Sequence, residues 1–164
     1  MRRRLKSPRF VPPCEILLRV VTEAAVSYEW RGAAEELELD WLHAEAFDHP
    51  PAPTRWQQQL ENHSLGWVCA RLDEELVGFV NVIWDGGANA VLLDTMVLPG
   101  ERRQGIGSEL VRVAAQEARR SGCEWLHADF DRDAAGFYLE SCGFTPAEAG
   151  LLNLRSPIVY EPQE

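Results

Sequence analysis

The sequence predicts an α/β fold, in which a mixed, mostly antiparallel sheet has helices on both faces and the elements follow in the order βααβββαβαβ. Between residues 65 and 98, short apolar runs alternate with turn residues, as in an antiparallel meander. A helical pattern then begins at Gly105. The strand, helix and strand within residues 91–130 are joined by short connections. We therefore expect a right-handed crossover and a parallel pair of strands.

The composition is that of an ordinary globular domain with an acidic surface. The 164 residues include 46% hydrophobic and 26% charged side chains, with a net charge of −10. This length suits one domain. An acidic surface repels nucleic acids and anionic lipids and attracts cations, so we expect neither a nucleic acid nor a membrane as partner. An amine is compatible with this charge.

Residues 1–25 differ from the rest, because they are basic, rich in proline and broken in their apolar pattern. We predict a poorly ordered extension at 1–25 and a single domain at 26–164, although a basic arm for nucleic acid is an alternative. A secretory signal needs an unbroken apolar core of about 7 to 15 residues, which is missing. The four cysteines show neither metal-ligand nor disulfide spacing. We therefore predict a cytoplasmic protein without a bound metal.

The elements are predicted from periodicity and turn residues. Strands are expected at 25–30, 67–72, 76–84, 89–98, 123–130 and 144–154, and helices at 33–47, 54–62, 105–120 and 131–142. In the first helix, the expected buried residues are Leu37, Trp41, Leu42 and Phe47. Thr54 is expected to cap the second. The core stripe of the third is expected to be Ile106, Leu110, Val113, Ala114 and Ala118.

The corner between the fourth strand and the third helix has the chemistry of an anion site. Backbone N–H groups at a helix start lack intrahelical partners and carry partial positive charge. Two glycines leave room for a ligand beside the backbone, and two arginines add charge. The predicted phosphate-binding residues are Arg102, Arg103, Gln104, Gly105, Ile106, Gly107 and Ser108.

Two common phosphate motifs do not fit this corner. A nucleoside-triphosphate loop would need Lys followed by Ser or Thr after the second glycine, but Ser108 is followed by Glu109. The dinucleotide motif would need a third glycine where Leu110 stands. A tight turn beside a solvated basic face is the structural alternative.

The pattern R-x-x-G-x-G after an apolar strand resembles the signature of the GCN5-related N-acetyltransferases (GNAT family). Arg102, Gly105 and Gly107 match its signature positions, and Val97 and Pro99 match its V-x-P lead-in. The resemblance covers about residues 26–154. It implies that acetyl-coenzyme A binds at the corner by its diphosphate. It also implies that Met96 and Val97 flank the pantetheine arm, and that a backbone N–H near Val97 stabilises the oxyanion.

Acetyl transfer to an amine also needs a base, since a lysine-like ammonium has a pKa of about 10.4. Asp94 lies in an apolar strand, where desolvation raises the pKa of a carboxyl group. We predict Asp94 as a catalytic residue, with Glu45 and Asp48 as alternatives. Another alternative is that Asp94 and Thr95 only satisfy backbone groups at the strand end.

The resemblance further implies a tyrosine that protonates the leaving thiolate, within F-Y-x-x-x-G-F. Here the run from Phe137 to Phe144 is one residue longer, and one residue turns a helix by about 100°. Asp131 stands where the family often has asparagine, and its charge would repel a phosphate. We predict Tyr138 as the general acid, with a packing role as the alternative.

Together these features predict an N-acetyltransferase that transfers acetyl from acetyl-CoA to a primary amine by direct attack. The expected acceptor is an amine of a small molecule, a peptide or a protein. The resemblance is compatible with a homodimer. A non-catalytic sensor or interaction module that binds CoA is the alternative. The resemblance implies that the segment joining the first two helices, near Trp56, is part of the acceptor site, with packing of Trp56 on the core as the alternative. His43 and His49 lack metal spacing and are expected to be solvated.

Overall fold

The computed structural model describes residues 25–155, so nearly all of the predicted extension at 1–25 and the chain end from 156 lie outside it. The boundary between extension and domain therefore stays a prediction. The strands are β1 (Val26–Trp30), β2 (Ser64–Leu72), β3 (Glu75–Trp84), β4 (Asn89–Val97) and β5 (Trp125–Ala128). The helices are α1 (Glu36–Phe47), α2 (Trp56–His63) and α3 (Ile106–Arg120), with a 3₁₀ turn at Pro99–Glu101 and a π-helix at Gly136–Ser141.

The sheet has five strands in the order β1-β2-β3-β4-β5. All neighbours are antiparallel except β4 and β5, which are parallel, so the prediction of a mixed, mostly antiparallel sheet is confirmed. The β4–β5 pairing runs only from Asn89 opposite Trp125 to Leu92 opposite Ala128. Residues 93–97 of β4 therefore extend beyond β5, and the sheet is open at this place.

Each face of the sheet has its own apolar core. The core on the α3 side includes the helix stripe of Ile106, Leu110, Ala114 and Ala118, all at most 3% exposed, with Val113 partly buried against it. The core on the other side packs α1 and α2 over the sheet through Leu39, Leu42, Trp56, Leu60, Phe79 and Met96. The predicted arrangement with helices on both faces is confirmed, and so is the stripe of α3.

A β-bulge interrupts β4 at the point where the sheet opens. Phe79 pairs with Met96 and Asn81 pairs with Leu93, so Asp94 and Thr95 together lie opposite one residue of β3. Asp94 adopts a positive φ of 51°, a conformation that Asp and Asn tolerate better than most side chains. The extra residue shifts the alternation of side chains, so Met96 enters the core beneath α1 and α2.

The predicted buried face of α1 is wrong. Leu37, Trp41 and Phe47 are 76%, 60% and 50% exposed, and of the predicted set only Leu42 is buried. At about 100° per residue, Leu37 and Leu42 are about 140° apart and cannot share a face. The buried positions are Leu39, Asp40, Leu42 and Ala44. Asp40 is buried because it accepts hydrogen bonds from Thr54 N–H (3.1 Å) and Trp56 Nε1–H (2.8 Å).

Three other local predictions also need correction. Arg55, not Thr54, is the N-cap of α2, and the Thr54 hydroxyl donates to Ala52 O instead. The helix predicted at 131–142 is reduced to the π-helix Gly136–Ser141. Within residues 25–155 no strand forms at 144–154, so the described sheet has five strands rather than six. None of the helices in the described range is long and apolar enough to cross a lipid bilayer.

Candidate active site

The backbone N–H groups before and at the start of α3 are available to a ligand. The first hydrogen bond of the helix runs from Glu109 N–H to Gly105 O at 3.0 Å. Within residues 25–155, no backbone carbonyl accepts from the N–H groups of residues 103–108, and no side chain caps the helix. Unpaired N–H groups at the positive end of a fifteen-residue helix form an anion site.

The two glycines of this corner have different reasons to be glycine. Gly105 has a φ of 85°, and no atom lies within 4 Å of the position that a Cβ would take. Its backbone conformation suits glycine, and the open space suits a ligand. At Gly107 a Cβ would lie 3.0 Å from Cε2 of Phe137, so this glycine is needed for packing. The sequence-based reason, room for a phosphate, holds only for Gly105.

The arginines also differ. Arg103 is exposed, with a φ of 65°. The guanidinium of Arg102 donates to Ala46 O at 2.7 Å and to Val97 O at 3.2 Å. Arg102 therefore ties the end of α1 to the end of β4, in addition to bringing positive charge to the corner.

The corner opens into a cavity of about 950 Å³ that follows the gap between β4 and β5. Six of the predicted cofactor residues line it, and so do both predicted catalytic residues; the six are Val97, Arg102, Arg103, Gly105, Gly107 and Ser108. Acidic side chains also line it, namely Glu101, Asp129, Asp131 and Asp133. Asp131 Oδ1 accepts from Ala134 N–H, which gives this residue a structural role before the π-helix.

Three predicted cofactor residues do not line the cavity with their side chains. Met96 is fully buried in the core beneath α1 and α2, because the bulge turns it to that face. Ile106 is 3% exposed and packs into the α3 core, leaving only its backbone at the corner. The Gln104 amide donates to Glu101 Oε2 at 2.9 Å. Side-chain contacts from these three to a cofactor are not supported, whereas the backbone of Ile106 remains in place.

The peptide groups of Val97 face the open side of β4. Leu98 N–H donates to Val77 O at 2.9 Å, which makes these two residues a hydrogen-bonded pair. The adjacent pair, Gly78 and Val97, is then the non-hydrogen-bonded kind, whose N–H and C=O groups point away from the partner strand. The hydrogen bond from Arg102 to Val97 O agrees with this direction. The Val97 N–H is thus directed to the gap beyond β5, as expected for an oxyanion donor.

Asp94 and Thr95 bring polar groups to the bulge. Burial raises the pKa of Asp94 above its ordinary value of 3.8, and nearby His43 partly offsets the rise. The Thr95 hydroxyl oxygen is buried and has no hydrogen-bond partner in the described part of the chain. A carboxyl group whose pKa is raised by burial, in a cavity, fits a proton-transfer role.

Tyr138 reaches the same cavity from the π-helix. Its ring stacks on Phe130 at 4.7 Å and meets the rings of Phe137 and Phe144 edge-on. Burial raises the pKa of the Tyr138 hydroxyl above 10.0, and the nearby Thr95 hydroxyl offsets part of this rise. The phenol is therefore protonated at neutral pH, as a proton donor must be.

The π-helix explains how the longer Phe137–Phe144 run is accommodated. Cys142 N–H donates to Phe137 O, five residues earlier, at 3.0 Å. A π-turn contains one residue more than an α-turn, so it takes up the added residue locally. Tyr138 is 8% exposed and faces the cavity, so the turn of about 100° expected from a regular helix does not remove it from the site.

Two residues of α1 have roles that the sequence did not predict. Asp40 fixes the loop between α1 and α2 through Thr54 and Trp56. His43, expected to be solvated, is partly buried and lies against the rings of Phe47, His49 and Trp56. A period of three to four residues from Leu39 places His43 on the buried face of α1, which is the signal that could have found it.

A helix start with unpaired N–H groups lies beside two parallel strands that diverge, an arrangement suited to an extended, phosphate-bearing ligand. The model of the acetyltransferase (GNAT) family matches residues 29–144. The chain therefore belongs to the GNAT acetyltransferase family. The fold and the sequence motif thus agree.

Solved structures share this fold. A probable acetyltransferase from meticillin-resistant Staphylococcus aureus is 21% identical, with a TM-score of 0.67 over 79% of this chain and 98% of that one. A GNAT-family acetyltransferase from Streptococcus pneumoniae is 21% identical, with a TM-score of 0.64 over 79% and 99%. An aminoglycoside N-acetyltransferase in complex with CoA is 16% identical, with a TM-score of 0.65 over 79% and 93%. No curated protein sequence matches the chain significantly.

Proposed function

We propose that this protein is an N-acetyltransferase that transfers the acetyl group of acetyl-CoA to a primary amine by direct attack. One observation carries the proposal. The unpaired N–H groups of residues 103–108 open into the same cavity as Asp94, Tyr138 and the Val97 peptide. An anion-binding corner is thereby joined to an acid, a base candidate and an oxyanion donor.

The residues of the corner fit a diphosphate. The N–H groups of Gly105, Ile106, Gly107 and Ser108 would hold its oxygens, and Arg103 would add charge from the surface. The gap along residues 93–97 would take the pantetheine arm. When bound, acetyl-CoA supplies the acetyl thioester that the amine attacks.

The chemical roles then fall to two groups on β4 and one on the π-helix. Asp94, in the bulge of β4, takes a proton from the amine. The Val97 N–H stabilises negative charge on the carbonyl oxygen. Tyr138, in the π-helix, donates a proton to the departing sulfur. The acidic lining of the cavity favours a cationic acceptor, such as a small amine or a basic peptide.

The direct test measures thiol release from acetyl-CoA in the presence of a panel of amines that includes spermidine, an aminoglycoside and lysine peptides. We expect release that depends on an amine, and thermal stabilisation by acetyl-CoA alone. Stabilisation without release from any amine would favour the CoA-binding sensor, and the absence of both would contradict the proposed site. A cytoplasmic location and a homodimer remain proposals that fractionation and light scattering would test.

Charge reversal at Arg102 tests the position of the diphosphate. Arg102→Glu should abolish the thermal stabilisation by acetyl-CoA, because it places a negative charge beside the corner. It should also lower the unfolding temperature of the free protein, since the bond to Ala46 O is lost. Arg119→Glu, at the exposed far end of α3, is the control and should keep the stabilisation by acetyl-CoA. An unchanged stabilisation in Arg102→Glu would contradict the assignment.

A further inference from the structure

Two histidines form a hydrogen-bonded chain, and one of them contacts Phe47, which lines the cavity. His43 lies on α1, and His49 lies in the loop that follows this helix. Nδ1 of His43 is 2.7 Å from Nε2 of His49, and Nδ1 of His49 is 2.8 Å from the carbonyl oxygen of Pro50. The chain thus links a partly buried ring to the loop between α1 and α2.

The carbonyl at the end of the chain sets the proton positions on both rings. A carbonyl oxygen only accepts, so Nδ1 of His49 carries a hydrogen. In neutral His49, Nε2 is then an acceptor, and His43 must donate to it from Nδ1. The remaining nitrogen of neutral His43, Nε2, therefore has a free lone pair. His43 is oriented as a base.

The surroundings of His43 hold the ring in place. Its ring centroid is 4.8 Å from that of Phe47, 4.8 Å from that of His49 and 5.7 Å from that of Trp56. Trp56 is itself fixed by its hydrogen bond to buried Asp40. Phe47, one turn after His43, lines the cavity. The ring is thus held against Phe47, a residue of the cavity wall.

The charged and titratable groups around His43 come from three elements. They are Asp94 on β4, Asp40 on α1 and His49 in the loop. Burial lowers the pKa of His43 below 6.5, the carboxylates of Asp94 and Asp40 partly offset this, and His49 lowers it further. His43 is consequently neutral at pH 7 and able to accept a proton. Once protonated, it gains attraction from Asp94 and a charge-assisted hydrogen bond to His49.

We propose that His43 receives the proton that Asp94 takes from the attacking amine, and that His49 is the positioning residue that fixes the tautomer of His43. This inference rests on the proposed acetyl transfer and names where the proton goes. The amine nitrogen forms the C–N bond as the C–S bond breaks. The proton from nitrogen passes to the Asp94 carboxylate and from there to Nε2 of His43, directly or across one water, and Tyr138 protonates the sulfur. The imidazolium is paired with the Asp94 carboxylate.

The first test compares variants in the amine-dependent release of thiol. His43→Gln should lower kcat about 10²-fold at pH 7, with an unchanged KM for acetyl-CoA. In the wild type, kcat/KM should fall as the pH drops through the lowered pKa of His43, and this limb should disappear in His43→Gln. His49→Gln should lower kcat less than His43→Gln does, and it should shift the pH at which kcat/KM falls. His63→Gln changes the exposed last residue of α2 and serves as the matched control.

The second test needs no acceptor and separates the two proposals. Imidazole NMR signals of the full chain should give His43 a pKa below 6.5, which decreases further in Asp94→Asn. If the pKa of His43 were not lowered and did not change in Asp94→Asn, the inference would be overturned, whatever the activity. A wild-type activity that His43→Gln leaves intact would overturn it too. Absence of thiol release with every amine would instead count against the proposed function.

Discussion

The proposed cofactor corner and the proposed acceptor side of the cavity are built in different ways. The corner consists of consecutive backbone N–H groups, from residue 103 to 108, which a single strand-turn-helix segment brings together. On the acceptor side, side chains from α1, the following loop and β4 converge, including His43, His49 and Asp94. The first site depends on local geometry and the second on the packing of segments some fifty residues apart in sequence.

This difference predicts how the two regions respond to mutation. The backbone of the corner supplies the donors, so substitutions act there through shape and net charge. On the acceptor side, the proposed mechanism gives proton transfer to individual side chains, so conservative substitutions should reduce turnover without reducing cofactor binding. The following predictions test this division.

Removing the hydroxyl group of Tyr138 should affect turnover alone. Tyr138→Phe keeps the ring stacked on Phe130, and therefore should lower kcat about 10²-fold while leaving the thermal stabilisation by acetyl-CoA unchanged. Thiol release and thermal shift measure the two effects. Tyr28→Phe, on β1, is the control. A nearly wild-type kcat in Tyr138→Phe would assign the tyrosine a packing role only.

Filling the space at Gly107 should affect the corner through shape. In Gly107→Val the new side chain meets the Phe137 ring, and overpacking of this kind costs about 1 to 3 kcal/mol in the free energy of unfolding. Denaturant unfolding measures the loss, and the acetyl-CoA stabilisation should weaken with it. Gly100→Val, where no atom lies within 4 Å of a Cβ, is the matched control. Equal stability of the two variants would contradict the close packing of the π-helix on α3.

Neutralising Asp94 should stabilise the protein while reducing its activity. Folding raises the pKa of this carboxyl, so the ionised form disfavours the folded state. Asp94→Asn, which tolerates the positive φ, should therefore raise the unfolding temperature at pH 7. This gain should shrink as the pH falls through the folded pKa and vanish below about 3.8, where both states are protonated.

Asp85 provides the opposite case for this measurement. Hydrogen bonds from Asn89 and Gly87 lower the pKa of Asp85, so Asp85→Asn should lower the unfolding temperature at pH 7. Both variants remove one negative charge, which separates the local effect from net charge. If the two changes had the same sign, a global charge effect would explain them better than the burial of Asp94.

Much of the fold follows from local sequence patterns. The apolar stripe of α3, the hairpin turns and the parallel return to β5 are all short-range signals, and the structure confirms them. Patterns failed where packing decides. On α1 an acidic residue, Asp40, is buried because its partners come from the next segment, and no periodicity of hydrophobic residues predicts that. The final predicted strand is absent from the described residues, although its sequence is apolar enough.

The sequence by itself determined the corner, because glycines, arginines and a helix start in one short segment suffice to present free N–H groups. The tertiary structure decided the rest of the site. The bulge directs Asp94 and Thr95 to the cavity and Met96 away from it, the π-turn keeps Tyr138 in place, and the loop after α1 sets the tautomer of His43. These features depend on contacts between distant segments, whose energies no local pattern contains.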